Sequence, residues 1–141
     1  MLELQRASRQ DSRMKIKSSL RFVLAAVALA ALGACATYPK TGQAALVGTW
    51  TNSFGTVWMV KADGTFDVDL RHHGKRDTWG TYAVSGDTVT LQRTGGMNPK
   101  GCKGPGVYKF SRTDEKTLSF TLVKDACQLR KKNVLEAWHQ K

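Results

Sequence analysis

The chain lacks the sequence patterns that mark common catalytic centres. It has no Gly-x-Ser-x-Gly segment and no glycine loop of the phosphate-binding kind. His72 and His73 are adjacent, and no cysteine or third histidine lies near them in sequence to complete a set of metal ligands. We interpret both histidines as loop residues and expect a protein that is not an enzyme, with no metal and no cofactor.

Long hydrophobic runs are also absent. The longest apolar stretch, residues 22–33, has about twelve residues, whereas a membrane-spanning helix needs roughly twenty. It follows the basic residues Lys15, Lys17 and Arg21 and ends in small residues, which is the order of a secretory signal peptide. We expect export and removal of this segment, with either a long region before Lys15 or a true start at Met14.

The residues that end this stretch carry a resemblance. Leu32, Gly33, Ala34 and Cys35 resemble the lipobox of bacterial lipoproteins, in which the cysteine is diacylated and becomes the mature N-terminus. Two acyl chains give stable membrane anchoring, and Ala36 resembles the next residue of lipoproteins sent to the outer membrane. The resemblance implies a protein of the bacterial cell envelope, tethered through Cys35 and facing the periplasm. The alternative is a soluble secreted protein in which Cys35 is incidental.

Acidic side chains are scarce: 11 Asp and Glu stand against 22 Lys and Arg. We assign residues 1–34 to the cleaved signal peptide, residues 35–45 to a tether and residues 46–141 to one small domain. From residue 35 onward, sixteen basic and nine acidic residues give a net charge of +7. A basic surface favours anionic partners, here lipid headgroups, lipopolysaccharide or acidic glycans rather than nucleic acid. A merely soluble surface is the alternative.

Short β-branched and aromatic runs, separated by turn residues, follow the tether. This pattern is typical of an antiparallel sandwich or barrel. In one run, Phe66, Val68 and Leu70 alternate with Asp67 and Asp69, which predicts that both aspartates face solvent. The seven predicted strands span residues 46–52, 56–62, 65–71, 78–85, 88–93, 107–112 and 117–123.

The segment after the last run has a helical pattern. Asp125 and Gln128 resemble a capping box, and apolar residues recur at helical spacing as far as Trp138. We expect one short C-terminal helix with its apolar face on the sheet.

Two cysteines remain once Cys35 is assigned to the anchor. In an oxidising compartment, Cys102 and Cys127 predict a disulfide. The strand register that pairs Phe110 with Phe120 also brings the two cysteines close to opposite positions. The alternative is a pair of buried free thiols.

A second resemblance concerns the fold. Gly48, Thr49 and Trp50 resemble the Gly-x-Trp signature of lipocalins and the wider calycin group, and the later segments CKGPGVYKF and DACQLR are similar to those of short bacterial lipocalin-like proteins. The resemblance implies an all-β, antiparallel up-and-down barrel of seven to eight strands with a short C-terminal helix. It also implies a late arginine over Trp50 that closes one barrel end, which we assign to Arg130. The alternative is a core tryptophan of some other small β-domain.

Two functions fit these observations. The resemblance implies a barrel that binds a small hydrophobic or amphipathic ligand; barrels of eight strands are just wide enough for one such molecule or for their own side chains. The alternative is a structural or interaction lipoprotein with a filled interior, because many aromatic residues are available to fill so small a barrel. The predicted ligand-binding residues are Trp58, Phe66, Tyr108, Phe110 and Phe120.

Overall fold

The structure, a computed structural model, describes residues 37–141, so the predicted signal peptide and Cys35 lie outside the described residues. Eight antiparallel strands close into a barrel in the order of the sequence, which confirms the predicted fold class. The strands are β1 Gly48–Thr51, β2 Val57–Val60, β3 Thr65–Asp69, β4 Thr78–Ser85, β5 Thr88–Gly96, β6 Gly106–Arg112, β7 Thr117–Lys124 and β8 Trp138–Gln140. A 3-10 helix, Gln43–Ala45, precedes β1, and helix α1, Gln128–Val134, separates β7 from β8.

Strand β8 is the element that the sequence pattern missed. Trp138 was predicted to extend the helix, but α1 ends at Val134, and Trp138 begins β8, where it pairs with Leu118 of β7. The indole N–H of Trp138 donates to the carbonyl of Val134 at 3.1 Å. The four-residue spacing that suggested one continuous helix therefore reflects a side chain folded back against the end of α1.

The start of α1 also differs from the predicted capping box. Cys127 is the N-cap, and the Oδ1 atom of Asp125 accepts a hydrogen bond from the Cys127 backbone N–H at 2.8 Å. Asp125 therefore lies before the cap, where its carboxylate is free to bind side chains as well.

The folded part begins before the predicted boundary at residue 46. Ala45 and Leu46 are fully buried. The backbone N–H of Gly42 donates to Gly86 at 3.2 Å, and the Tyr38 hydroxyl donates to the carbonyl of Thr113 at 3.3 Å. Within the described residues, the segment assigned to a tether thus contacts the barrel at Tyr38, Gly42 and Ala45, while most of its other side chains are exposed.

The two ends of the barrel differ. At one, the closed end, the 3-10 helix lies beside the short turns at residues 61–64, 86–87 and 113–116. Trp50 is fully buried there, and its indole N–H donates to Leu46 at 2.8 Å. At the other, the open end, lie the turn 52–56, the connection 97–105 and the segment 125–137 that contains α1. Within residues 37–141, no helix is both long and apolar enough to cross a membrane.

Candidate functional site

An apolar cavity of about 90 Å³ lies inside the barrel and leads to its open end. Its deeper wall contains Trp58, Phe66, Leu91 and Trp138, all buried members of the core. The rings of Trp58 and Trp138 lie 5.4 Å apart, centroid to centroid. The remaining lining residues are Thr56, Val68, Leu70, Thr78, Arg93, Met97, Pro99, Cys102, Cys127, Leu129, Arg130, Asn133 and Val134.

Two of the five predicted ligand-binding residues, Trp58 and Phe66, line this cavity. The other three, Tyr108, Phe110 and Phe120, do not; they pack in the core, where the ring centroid of Phe120 lies 5.6 Å from that of Trp58. These three rings therefore fill part of the barrel that a larger ligand would need.

Arg93 is the lining residue that the sequence analysis missed. It follows Leu91 by two residues on β5 and therefore points to the same, inner face. Its guanidinium makes one long hydrogen bond, from Nη1 to the carbonyl of Gly96 at 3.4 Å, and its Nε atom is buried with no hydrogen-bond partner in residues 37–141. The alternation of Val89, Leu91 and Arg93 was the signal that could have identified it.

A disulfide joins Cys102 to Cys127 beside the cavity, which confirms the predicted pairing. It connects the 97–105 connection to the N-cap of α1. Both cysteines line the cavity, so the disulfide holds together two of the segments that form the cavity mouth.

A buried charge cluster lies next to the disulfide. The Arg130 guanidinium donates to the Asp125 carboxylate through Nε at 2.5 Å and through Nη2 at 2.7 Å, and to the carbonyl of Gly104 at 2.8 Å. The Tyr108 hydroxyl donates to the same carboxylate. A Cβ atom at Gly106 would lie 2.4 Å from Asp125 Oδ2, so this position needs glycine. The segments 102–110 and 125–130 thus meet in one cluster.

The pKa values in this cluster follow from burial and pairing. Burial alone would raise the pKa of Asp125, but the Arg130 and Tyr108 hydrogen bonds hold it below its ordinary value. Burial and the neighbouring carboxylate raise the pKa of Tyr108. For Arg130, burial would lower the pKa, yet Asp125 keeps it above its usual range. The cluster is therefore an ion pair with a neutral tyrosine.

The predicted pairing of Arg130 with Trp50 is wrong. Arg112 lies at the end of β6, and its guanidinium carbon lies 5.1 Å from the centroid of the Trp50 ring. The Arg112 guanidinium also donates a hydrogen bond to the carbonyl of Ala45 at 3.3 Å. Arg130 is held at the open end by Asp125, whereas Trp50 closes the opposite end. The arginine that covers the tryptophan is thus the one whose strand ends at the closed end.

The predicted solvent exposure of Asp67 and Asp69 is also wrong, since both are buried. The loop 70–77 folds against β3: Asp69 accepts hydrogen bonds from the backbone N–H groups of His73 and Gly74 and from the His73 ring. Burial would raise the pKa of Asp69, but these bonds lower it to about 2. Asp67 is covered by Lys61 and Arg76 in the same way.

Asp69, His73 and Asp77 bring three potential metal-ligand atoms within 4.8 Å of one another. Each carboxylate oxygen already accepts N–H donors, including the Arg71 guanidinium on Asp77 at 2.8 Å. His73 does lie in a loop, as predicted. The group is best understood as the hydrogen-bonded clamp that folds this loop onto β3.

Comparison with known proteins finds no matching family model, no matching curated protein and no matching solved structure.

Proposed function

We propose that the protein is a lipid-anchored protein of the bacterial cell envelope that binds a small amphipathic molecule at the open end of its barrel. The observation that supports binding is the apolar cavity with the guanidinium of Arg93 in its lining. Apolar cavities with a few placed polar groups are typical ligand sites. An arginine without a carboxylate partner in residues 37–141 favours a ligand with an anionic head.

The cavity volume limits the ligand. Ligand sites for drug-sized molecules have about 300 to 1,000 Å³, and an engineered cavity that takes benzene has roughly 150 Å³. At about 90 Å³, this cavity holds the end of an alkyl chain, and the rest of the molecule would lie in the mouth near Arg93, Met97 and Leu129.

A filled, non-catalytic barrel that acts through its surface is the second candidate. The observation that favours it is the burial of large side chains across the rest of the interior, away from the cavity: Trp50, Tyr108, Leu46 and Leu118 are all less than 2 % exposed. A protein of this kind would contact another envelope component without an internal ligand.

Arg93→Gln tests the ligand. A solvatochromic dye should bind the barrel and be displaced by decanoate and by decanol, which share a chain and differ in the head. Loss of one charge-assisted hydrogen bond should weaken decanoate binding about tenfold and leave decanol nearly unchanged. Lys109→Gln, on the exposed face of β6, is the matched control. A dye that never binds would favour the filled barrel, whereas equal loss for both competitors would remove the anionic head group from the proposal.

Cys35→Ser tests the anchor. Metabolic labelling with a palmitate analogue should mark the wild-type protein and not the variant, because the thiol is the acyl acceptor that the lipobox resemblance implies. Equal labelling of both proteins would remove the lipid anchor from the proposal while leaving the barrel site in place.

A further inference from the structure

Within residues 37–141, the exposed large hydrophobic side chains are confined to one end of the barrel. Phe54 lies in the turn 52–56, Met97 begins the 97–105 connection, and Leu129 and Leu135 lie in or next to α1. The other two, Leu122 and Val123, are near the end of β7 that leads to α1. All six belong to the open end, and none to the turns of the closed end. We name this surface the open rim.

Neighbouring contacts connect the parts of the open rim. Met97 and Leu129 both line the mouth of the cavity. The ammonium group of Lys132 lies 5.1 Å from the ring centroid of Phe54, and the Ser53 hydroxyl bonds Glu136 at 2.6 Å. The turn 52–56, the mouth and α1 therefore present apolar groups on one continuous side of the barrel.

Charged residues are also distributed unequally between the open and closed ends of the barrel. The three segments of the open rim, residues 52–56, 97–105 and 122–136, carry five lysines outside the Arg130–Asp125 pair, against one glutamate: Lys100, Lys103, Lys124, Lys131 and Lys132 against Glu136. The closed-end turns have the opposite balance, with two lysines against four acidic residues: Lys61 and Lys116 against Asp63, Asp87, Asp114 and Glu115. The basic side of the molecule is therefore its apolar side.

We propose that the open rim docks on an anionic lipid surface. Protein surfaces that bind the membrane interface combine apolar side chains with lysines. Each lysine near an anionic leaflet strengthens the electrostatic attraction between the protein and the membrane. A second copy of this chain would bring two positive surfaces together. A purely polar polyanion would make no favourable apolar contact with Phe54, Leu135 or Val123.

The proposal does not depend on a ligand in the cavity, although docking would place the cavity mouth against the lipid. Because Tyr38 is hydrogen-bonded to Thr113 at the closed end, a lipid on Cys35 would tether that end, so the anionic surface that meets the open rim is a second lipid surface and not the anchoring one.

Vesicle sedimentation tests the docking. Residues 36–141 are suitable because they contain all eight strands of the closed barrel and the core residues from Ala45 to Trp138, and they carry no acyl chain. The fragment should bind vesicles of phosphatidylcholine with phosphatidylglycerol and not vesicles of phosphatidylcholine alone. Binding should weaken when the salt is raised from about 0.1 M to about 0.5 M, because screening shortens the range of the attraction.

Matched variants locate the surface. Lys131→Glu with Lys132→Glu should weaken vesicle binding by about tenfold or more. The same charge change at the closed end is Lys40→Glu with Lys116→Glu, since the ammonium group of Lys40 lies 5.6 Å from the ring centroid of Tyr38, which is bonded to Thr113, and Lys116 lies in the turn 113–116. This pair should weaken binding by less than about threefold because it lies at the other end of the barrel. Phe54→Ser with Leu135→Ser should also weaken binding. Each variant must keep the melting temperature of the parent fragment to within a few degrees.

Three results would overturn the proposal. The first is no binding to anionic vesicles, and the second is equal loss for both pairs of lysine variants, which would indicate attraction to net charge alone. The third is unchanged binding in the Phe54 and Leu135 variant, which would indicate a polyanion site. Decanoate displacement in the Lys131 and Lys132 variant separates this outcome from the cavity proposal, since an intact cavity keeps its affinity.

Discussion

Asp125→Ala should lower the free energy of unfolding by about 3 kcal/mol or more, the effect expected when one partner of a buried ion pair is removed. The Asp125 side chain is fully buried, and that of Arg130 is 13 % exposed. The substitution leaves the guanidinium without its carboxylate and the Tyr108 hydroxyl without its acceptor. Urea unfolding followed by tryptophan fluorescence measures the change.

Two further variants separate the ion pair from its surroundings. Tyr108→Phe removes only the hydroxyl donor and should cost about 1 kcal/mol. Asp87→Ala, in an exposed turn of the closed end, should change stability by less than about 0.5 kcal/mol. A loss below about 1 kcal/mol for Asp125→Ala would contradict the role assigned to the pair.

Loss of the Cys102–Cys127 bond should have an effect of similar size. The bond joins residues separated by 25 positions, and chain entropy predicts about 3.5 kcal/mol for a loop of that length. Cys102→Ala with Cys127→Ala should therefore lower the melting temperature by roughly 10 °C or more. Differential scanning calorimetry with and without reductant measures it.

Reductant provides the control for this prediction. It should lower the melting temperature of the wild-type protein to that of the double variant and leave the variant unchanged. Two reactive thiols on the unfolded, unreduced fragment 36–141 would contradict the disulfide. A stable reduced protein would instead show that packing alone holds the 97–105 connection against α1.

Local patterns were sufficient to predict most of the strands. Alternation of Phe66 and Val68, and the Asp-Gly turn at residues 63–64, fix β3 and its hairpin because these signals act over a few residues. The disulfide was predictable for a related reason, since strand register carries the pairing of Phe110 with Phe120 outward toward the cysteines.

Features that depend on loops folding back were not predictable. Asp67 and Asp69 occupy the outward positions that alternation assigns them, yet the loop 70–77 covers them. The alternating pattern of β3 does not indicate whether a loop packs against its outer face. Three-residue strands such as β8 are too short to show a period of two.

Only part of the candidate site could be predicted from the sequence. Trp58 and Phe66 were found because they lie on inward strand positions, whereas Trp138 was assigned to the helix and Arg93 was not considered. The choice between Arg112 and Arg130 as the partner of Trp50 requires knowledge of which barrel end each residue occupies, and that follows only from the complete strand order.

Closure of the barrel depends on one very short strand. Strand β8, Trp138–Gln140, pairs with β1 on one side and with β7 on the other, through two residue pairs on each. Without it, β1 and β7 would each expose a row of unpaired backbone N–H and C=O groups, which can pair with strands of other molecules. These three residues therefore protect the protein from edge-to-edge aggregation, a role out of proportion to their share of the fold.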